Sequence, residues 1–240
     1  MKPRSPDYGT DGDPKAMPIS FLAFVVVDAI LFLLHSEILR VLAYLVLASG
    51  IVFLSFVLWH LLYVRFGKLR HRDALLSLVE WKGNENVLDV GTGRGLLLIG
   101  AAKKLREGKA VGIDIWRKQD MVGNGPDGVL LNAKLEGISD RIEVREEDIR
   151  KTSFPAEYFD VVLSNLCLHN ISGKEGREAA CREIARVLKP AGIAVISDGF
   201  HTRDYLGIFM KQGLDGKIIK GNFLSKSFWL HTVYAVKRGP

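Results

Sequence analysis

The sequence feature that most constrains the fold is the glycine-rich stretch at residues 87–95, VLDVGTGRG. It begins as an apolar run with strand character, ends in three alternating glycines, and leads at once into a helical pattern. A buried strand that feeds a glycine turn and then a helix is how a parallel α/β sheet holds an adenosine-type cofactor. Glycine lacks Cβ and adopts positive φ, so the backbone there can lie close to a ligand. Such turns also occur as plain connections within a sheet.

Downstream of this stretch, short β-type apolar runs alternate with helical patterns. We predict strands over 86–90, 110–115, 141–145, 159–164 and 193–197, and helices over 73–81, 95–106, 129–136 and 175–188. Alternation at this spacing is typical of a parallel, doubly wound sheet with helices on both faces. The last two β segments, 216–222 and 228–236, are separated by a short loop and predict a terminal hairpin.

Three acidic residues fall where predicted strands end. Asp89 lies inside the glycine stretch, Asp114 ends the second strand, and Asp148 follows the third strand. The carboxyl ends of parallel strands meet in one crevice, and an acid about 20 residues after the glycines contacts ribose hydroxyls in such folds. For Asp148 alone, a solvated loop charge is an equally good interpretation. Together the three acids favour an adenosine-binding crevice.

Two long apolar runs precede this region. Residues 19–34 are apolar except for Ser20 and Asp28, and residues 41–64 contain one strongly polar residue, His60. Because a hydrocarbon core of about 30 Å needs roughly 20 apolar residues, we predict a spanning helix for the second run. The first run is shorter, and Asp28 at mid-bilayer costs about 2.5–3.5 kcal/mol. We interpret 19–64 as a two-helix transmembrane hairpin, in which the first run spans fully, is partly re-entrant or extends to Leu39. Asp28 either pairs with His60 or faces lipid or water. A cleaved signal peptide and a soluble helical hairpin are the alternatives.

The flanking segments define the predicted orientation. Residues 1–18, with four prolines and two glycines, predict a flexible tail, and residues 65–72, with four Lys and Arg residues, predict a basic juxtamembrane linker. Because Lys and Arg are retained on the cytosolic side, we expect an integral membrane protein whose catalytic domain, 73–240, faces the cytosol.

Charge and cysteine content bear on the partner classes. The net charge is +6, but membrane topology explains the basic cluster and no basic–aromatic motif accompanies it, which argues against a nucleic-acid partner. The two cysteines, Cys167 and Cys181, provide neither a disulfide framework nor metal-ligand spacing. We therefore expect two buried thiols and no metal site.

Four segments together resemble a known family. VLDVGTGRG, VGIDIW, EEDIRKTSFPAEYFDVVLSNLCLHN and REIARVLKPAGIAVISD are similar, in order and spacing, to the motifs of class I S-adenosylmethionine-dependent methyltransferases. Within these, the chain is most similar to the ubiquinone- and menaquinone-biosynthesis group, over about residues 74–200. The resemblance implies a Rossmann-like seven-stranded sheet with an antiparallel last strand, and S-adenosylmethionine as the cofactor. A nicotinamide dehydrogenase is the rival, but its glycine spacing is G-x-G-x-x-G rather than G-x-G-x-G.

The resemblance also implies residue roles along the cofactor. Around the methionine part it implies backbone contact at Gly91, Gly93 and Gly95, with Asp89 supporting the loop and the cofactor's amino group. Around the adenosine it implies Asp114 on the ribose, Ile115 against the adenine, Asp148 on the adenine amino group and the Ile149 N–H on the ring edge. Asn165 is placed near the methionine end and the transferred methyl. Residues 116–128 depart from the family pattern, being longer and richer in glycine, so Trp116, Arg117 and Lys118 are candidates for a lid or a substrate wall.

The predicted chemistry is methyl transfer, in which the enzyme aligns the reactants and excludes water. His169 follows the fourth strand and is the candidate general base near neutral pH; the alternative is that it only bonds the local backbone. The membrane anchor favours a hydrophobic or membrane-associated small acceptor. Methylation of a protein side chain is the second hypothesis. A non-catalytic, cofactor-binding membrane adaptor is the third.

Overall fold

The structure, a computed structural model, describes residues 6–8, 37–62, 67–117, 125–221 and 229–239. The chain forms two compact units. One contains residues 69–240 together with the described amino-terminal residues 6–8, and the other contains the apolar helix α1, Glu37–Leu62. The predicted crevice belongs entirely to the first unit.

The larger unit is built around one seven-stranded sheet. In chain order the elements are α2 (Lys68–Leu76), β1 (Asn86–Val90), α3 (Leu96–Ala102), β2 (Lys109–Asp114), α4 (Pro126–Leu135), β3 (Ile142–Glu146), β4 (Phe159–Asn165), α5 (Lys174–Val187), β5 (Leu188–Asp198), α6 (Thr202–Lys211), β6 (Leu214–Lys220) and β7 (His231–Lys237). The strand order is β3-β2-β1-β4-β5-β7-β6. β7 runs antiparallel to both of its neighbours, whereas the pairs from β3 to β5 are parallel. The doubly wound sheet with an antiparallel last strand is confirmed.

Both faces of the sheet are covered by helices, which explains the continuous apolar character of the central strands. In β1, Val87 belongs to the hydrophobic layer that also contains Leu98 of α3, whereas Leu88 belongs to the opposite layer with Ile184 of α5. Successive strand residues point to opposite faces. The two layers therefore hold the carboxyl ends of β1, β2 and β4 in fixed relative positions.

Two helices differ from the sequence prediction. α2 begins at Lys68, five residues before the predicted start, and ends at Leu76, so Asp73, the predicted first residue, lies within the helix. Part of the predicted basic linker is therefore helical, and His71 and Leu75, one turn apart, are both buried. α6 was not predicted at all, although Tyr205 and Phe209 are buried at helical spacing.

The second apolar run forms α1, a helix of 26 residues. Its stretch Arg40–Trp59 is the one described segment that is long and apolar enough to cross a membrane. Large apolar side chains are exposed around this stretch, among them Val41, Leu45, Val52 and Phe56. The first run, 19–34, lies outside the described residues, as do Asp28 and the side chain of His60. The hairpin and the Asp28–His60 pair stay predictions.

The described amino-terminal residues 6–8 belong to the same compact unit as the sheet and form hydrogen bonds with it. The Asp7 N–H donates to Asn132 Oδ1 (3.1 Å), and Asn132 Nδ2 donates back to the Asp7 carbonyl (2.8 Å) and to the Arg94 carbonyl (2.9 Å). The Tyr8 hydroxyl donates to Glu136, and Asp7 forms an ion pair with Arg94. Within the predicted flexible tail, Asp7 and Tyr8 therefore have specific partners.

We expect Asn132→Ala to release residues 6–8, because the buried amide makes both backbone bonds to Asp7. Loss of a buried hydrogen-bonded group costs about 1–3 kcal/mol, so the free energy of unfolding should fall by that amount. Amide hydrogen exchange should accelerate at Asp7 and Tyr8. Lys134→Ala, at an exposed position on the same helix, is the matched control. Unchanged exchange at these two residues in Asn132→Ala would contradict this account.

Candidate active site

The ends of four neighbouring strands bring the predicted site residues to one edge of the sheet. β1 carries Asp89 next to its last residue, β2 ends at Asp114, and β4 ends at Asn165. Asp114 pairs in register with Glu146, the last residue of β3, two positions before Asp148. The predicted acids therefore share the carboxyl edge of the sheet, where open α/β sheets bind their ligands.

The glycine loop turns sharply because its glycines adopt positive φ: 70° at Gly91, 50° at Gly93 and 85° at Gly95. The Gly91 N–H donates to the Ile113 carbonyl at 2.9 Å, which fastens the loop to β2. A Cβ at Gly91 would overlap the side chain of Cys167. The missing Cβ at Gly91 therefore makes room for the Cys167 side chain, and close approach of a ligand to this glycine stays a prediction.

The Asp89 carboxylate connects the glycine loop to the helix that follows it. Its Oδ2 accepts hydrogen bonds from Thr92 Oγ1 and from the Leu98 N–H, both at 2.9 Å. One donor belongs to the loop and the other to the first turn of α3. Burial raises the pKa of the Asp89 carboxyl to about 7, and the nearby negative charge of Asp114 acts in the same direction. The contact of Asp89 with a cofactor amino group stays a prediction.

The Asp114 carboxylate also binds the glycine loop. Its Oδ2 accepts from the Gly93 N–H at 2.9 Å, and its Oδ1 accepts from the Trp116 N–H at 2.8 Å. A carboxylate offers about four acceptor positions, so both oxygens retain capacity for ribose hydroxyls. Ile115 is 39% exposed beside it. Arg117 is the next described residue of the candidate wall, and Lys118 lies outside the described residues.

The Asp148 side chain forms hydrogen bonds with Arg150, two residues further along the chain. The Arg150 N–H donates to Asp148 Oδ1 (2.9 Å), and the Arg150 guanidinium contacts both carboxylate oxygens, the shortest distance being 2.6 Å. This hydrogen bonding lowers the pKa of the Asp148 carboxyl below its ordinary value. Both side chains are partly exposed, and exposed pairs contribute only about 0–1 kcal/mol, so an adenine amino group can compete. Ile149, the predicted ring-edge contact, is buried.

Asn165 contacts a residue that sequence reasoning missed. His71 Nε2 lies 3.1 Å from Asn165 Oδ1 and 2.9 Å from Ser197 Oγ. Asn165 and Ser197 pair in register on β4 and β5, so the imidazole lies over the ends of two adjacent strands. These three residues are separated by up to 126 positions in sequence, and no local pattern connects them.

His169 lies in the turn after β4, in a short 3-10 segment, Leu168–Asn170. Its Nδ1 lies 2.7 Å from Asp198 Oδ1, and its backbone N–H donates to Asp198 Oδ2 at 3.0 Å. The Gly199 N–H also donates to Asp198, whose side chain is 1% exposed. In the tautomer that carries its proton on Nδ1, beside this carboxylate, the lone pair lies on Nε2. Sequence reasoning left out Asp198, although it ends a strand as Asp114 does.

The residues at this edge fit an adenosyl cofactor. The positive φ of Gly91 and Gly93 forms the tight turn of the loop, and the carboxylate of Asp114 retains acceptor positions for hydroxyls. The two cysteines do not extend the site: Cys181 is buried, and burial raises its thiol pKa to about 12. Cys167, only partly buried, packs against Gly91.

Part of the domain is similar in sequence to known methyltransferases. A family model described as "Methyltransferase domain" matches residues 88–196. The demethylmenaquinone methyltransferase of Bacteroides fragilis is 28% identical over 162 residues, which are 65% of this chain and 62% of the relative. The ribosomal protein L11 methyltransferase of Syntrophotalea carbinolica is 32% identical over 151 residues, covering 62% of this chain and 44% of that protein. The chain thus covers less than two thirds of either relative.

Among solved structures, a SAM-dependent methyltransferase from Aquifex aeolicus superposes with a TM-score of 0.56 at 20% identity, covering 70% of this chain and 90% of that one. At this identity the likeness concerns the fold. The family match and the fold imply S-adenosylmethionine as the cofactor.

We expect Gly91→Ala to abolish binding of S-adenosylhomocysteine, because the added Cβ overlaps Cys167 and displaces the loop. Gly137→Ala is the matched control: Gly137 has nearly the same φ, 69°, but open space where a Cβ would lie. The control should lose only the left-handed backbone cost of about 1–2 kcal/mol and keep binding. Isothermal titration calorimetry and thermal melting measure both effects. Equal affinity in the two variants would contradict the assigned role of the loop.

Proposed function

Because this chain carries a class I S-adenosylmethionine-dependent methyltransferase domain, we propose that it transfers a methyl group from that cofactor to a hydrophobic or membrane-associated small molecule. The observation that carries the proposal is the His169–Asp198 pair at the ligand edge of the sheet, 2.7 Å apart. It adds a candidate proton acceptor to a crevice whose glycines and acids fit the cofactor. A non-catalytic adaptor has no need of such a pair.

When bound, S-adenosylmethionine supplies a methyl group on a positively charged sulfur that is already activated for displacement. The glycine loop, held by Asp89 and Asp114, orients the ligand against the edge of the sheet. Orientation of this kind is a large part of the catalysis in such transfers. Buried Asp198 holds His169 Nδ1, so that Nε2 can take a proton from the acceptor as the methyl is transferred.

The surface beside His169 favours an apolar acceptor. The Phe200 ring centroid lies 6.1 Å from that of His169, and Phe200 is 64% exposed. Trp229 lies so close to Gly199 that a Cβ there would be 3.0 Å from its ring. An exposed aromatic ring beside His169, with a second ring against Gly199, suits a planar or lipid-like molecule, as most small-molecule sites are lined by apolar groups. The demethylmenaquinone relative supports this class. The ribosomal-protein relative supports protein methylation as the second candidate.

The purified protein should bind S-adenosylhomocysteine and not NADH in calorimetry, and should transfer tritiated methyl from S-adenosylmethionine to a membrane lipid extract.

Asp198→Asn should lower transfer by about 10²–10⁴-fold, the usual contribution of a general base, with little change in S-adenosylhomocysteine affinity. Asp204→Asn is the matched control, because Asp204 pairs with His201 at the surface. Label in the protein fraction alone would favour the second candidate, and no transfer to either fraction would favour the adaptor.

We also propose that the domain is anchored to a membrane by a helical hairpin. Residues 6–8 contact Arg94, Asn132 and Glu136 of the domain, so the chain before and after the apolar runs lies on one side. If α1 spans once, a second crossing must occur between residues 9 and 36 to satisfy this. The apolar run 19–34 is the segment whose composition permits it. Arg70 and Arg72, which follow α1, favour the cytosolic side.

This topology can be tested with introduced cysteines in sealed vesicles, in a background with Cys167→Ser and Cys181→Ser. We expect an impermeant maleimide to reach Thr10→Cys and Lys104→Cys from the same side and Ser36→Cys from the opposite side. Labelling of all three from one side would contradict a spanning hairpin. Labelling of Thr10→Cys and Lys104→Cys from opposite sides would contradict the second crossing.

A further inference from the structure

His71 is a buried polar residue that the proposed chemistry does not use. It lies on α2, is 5% exposed, and places Nε2 within hydrogen-bond distance of Asn165 Oδ1 and Ser197 Oγ. Asn165 ends β4 at the ligand edge, one strand from the glycine loop on β1. Buried polar side chains in proteins have specific hydrogen-bond partners. The contact of His71 with Asn165 therefore suggests a role for this histidine other than filling space.

The protonation state of His71 excludes it as a base. Burial lowers the pKa of this imidazole to about 4, so it is neutral at physiological pH and holds a proton too weakly to serve as the acceptor in the reaction. His169, with its carboxylate partner, is the proton acceptor, and His71 must act in another way.

The contact with Asn165 defines a tautomer and an amide orientation. An amide oxygen can only accept a hydrogen bond, so Nε2 of His71 carries the proton and donates to Asn165 Oδ1. The same N–H reaches Ser197 Oγ in a three-centre arrangement. Asn165 Oδ1 therefore faces the histidine, which leaves the Nδ2 donors on the opposite side of the planar amide. Within the described residues, Nδ2 has no hydrogen bond.

We propose that His71 is a positioning residue: it holds the Asn165 amide so that Asn165 Nδ2 donates a hydrogen bond to an oxygen of a bound ligand. That oxygen belongs either to the carboxylate of the cofactor or to the methyl acceptor. An amine acceptor would need Asn165 to accept rather than donate, so the arrangement favours an oxygen-bearing acceptor over a protein amine. This inference rests on the proposed methyltransferase function.

Two variants of the full-length protein separate positioning from packing. His71→Leu keeps an apolar body but removes the donor, and His71→Gln restores an N–H at a similar reach. Ser197→Ala is the matched control, since it removes the other partner of Nε2 and keeps the bond to Asn165. Binding of S-adenosylhomocysteine and of 5′-methylthioadenosine, which lacks the carboxylate, is measured by calorimetry. Tritium transfer to the lipid extract and the melting temperature are measured alongside.

If Nδ2 binds the cofactor carboxylate, His71→Leu weakens S-adenosylhomocysteine at least tenfold and leaves 5′-methylthioadenosine unchanged. If Nδ2 binds the acceptor, both affinities stay within twofold and methyl transfer falls at least tenfold. In either case His71→Gln restores the lost property, Ser197→Ala preserves it, and His71→Leu has no further effect in an Asn165→Ala background.

The proposal is overturned if His71→Leu matches the parent protein in binding and transfer, or if its losses follow a lowered melting temperature and His71→Gln does not restore them. Failure of the parent protein itself to bind S-adenosylhomocysteine would instead overturn the proposed function. The two failures are therefore distinguishable.

Discussion

The interaction on which the site depends is the attachment of the glycine loop to two carboxylates. Asp89 fastens the loop to α3 from beneath, and Asp114 holds the Gly93 N–H from the side. Glycine provides a backbone that approaches a ligand closely, but the same freedom costs conformational entropy when the loop is ordered. The carboxylates offset that cost, because each binds two donors and both lie at fixed strand ends.

Two histidines near the proposed methyl end differ because their partners differ. His169 is partly exposed and has a buried carboxylate 2.7 Å from its Nδ1. His71 is buried among neutral partners, so its ring stays neutral. One imidazole is thereby suited to accept a proton and the other to hold an amide in one orientation. Both depend on β4 and β5 lying side by side.

The amino-terminal residues connect the domain with the proposed membrane topology. Residues 6–8 precede the apolar runs in sequence but belong to the same compact unit as the crevice. Their partners include the Arg94 ion pair, and Arg94 lies inside the glycine stretch. A chain that leaves the domain, passes through the apolar segments and returns to it favours an even number of crossings. It also favours an acceptor drawn from the lipid phase or its surface.

The sequence by itself determined the order of the strands along the chain, the glycine loop and the placement of Asp89, Asp114 and Asn165 at strand ends. Apolar periodicity and glycine spacing are local properties, and the parallel topology then brings those ends together. Only the tertiary structure decided that Asp198 supports His169 and that His71 contacts Asn165. Those contacts join residues that are 29 and 94 positions apart, and such pairings arise from packing of whole elements, which no local pattern encodes.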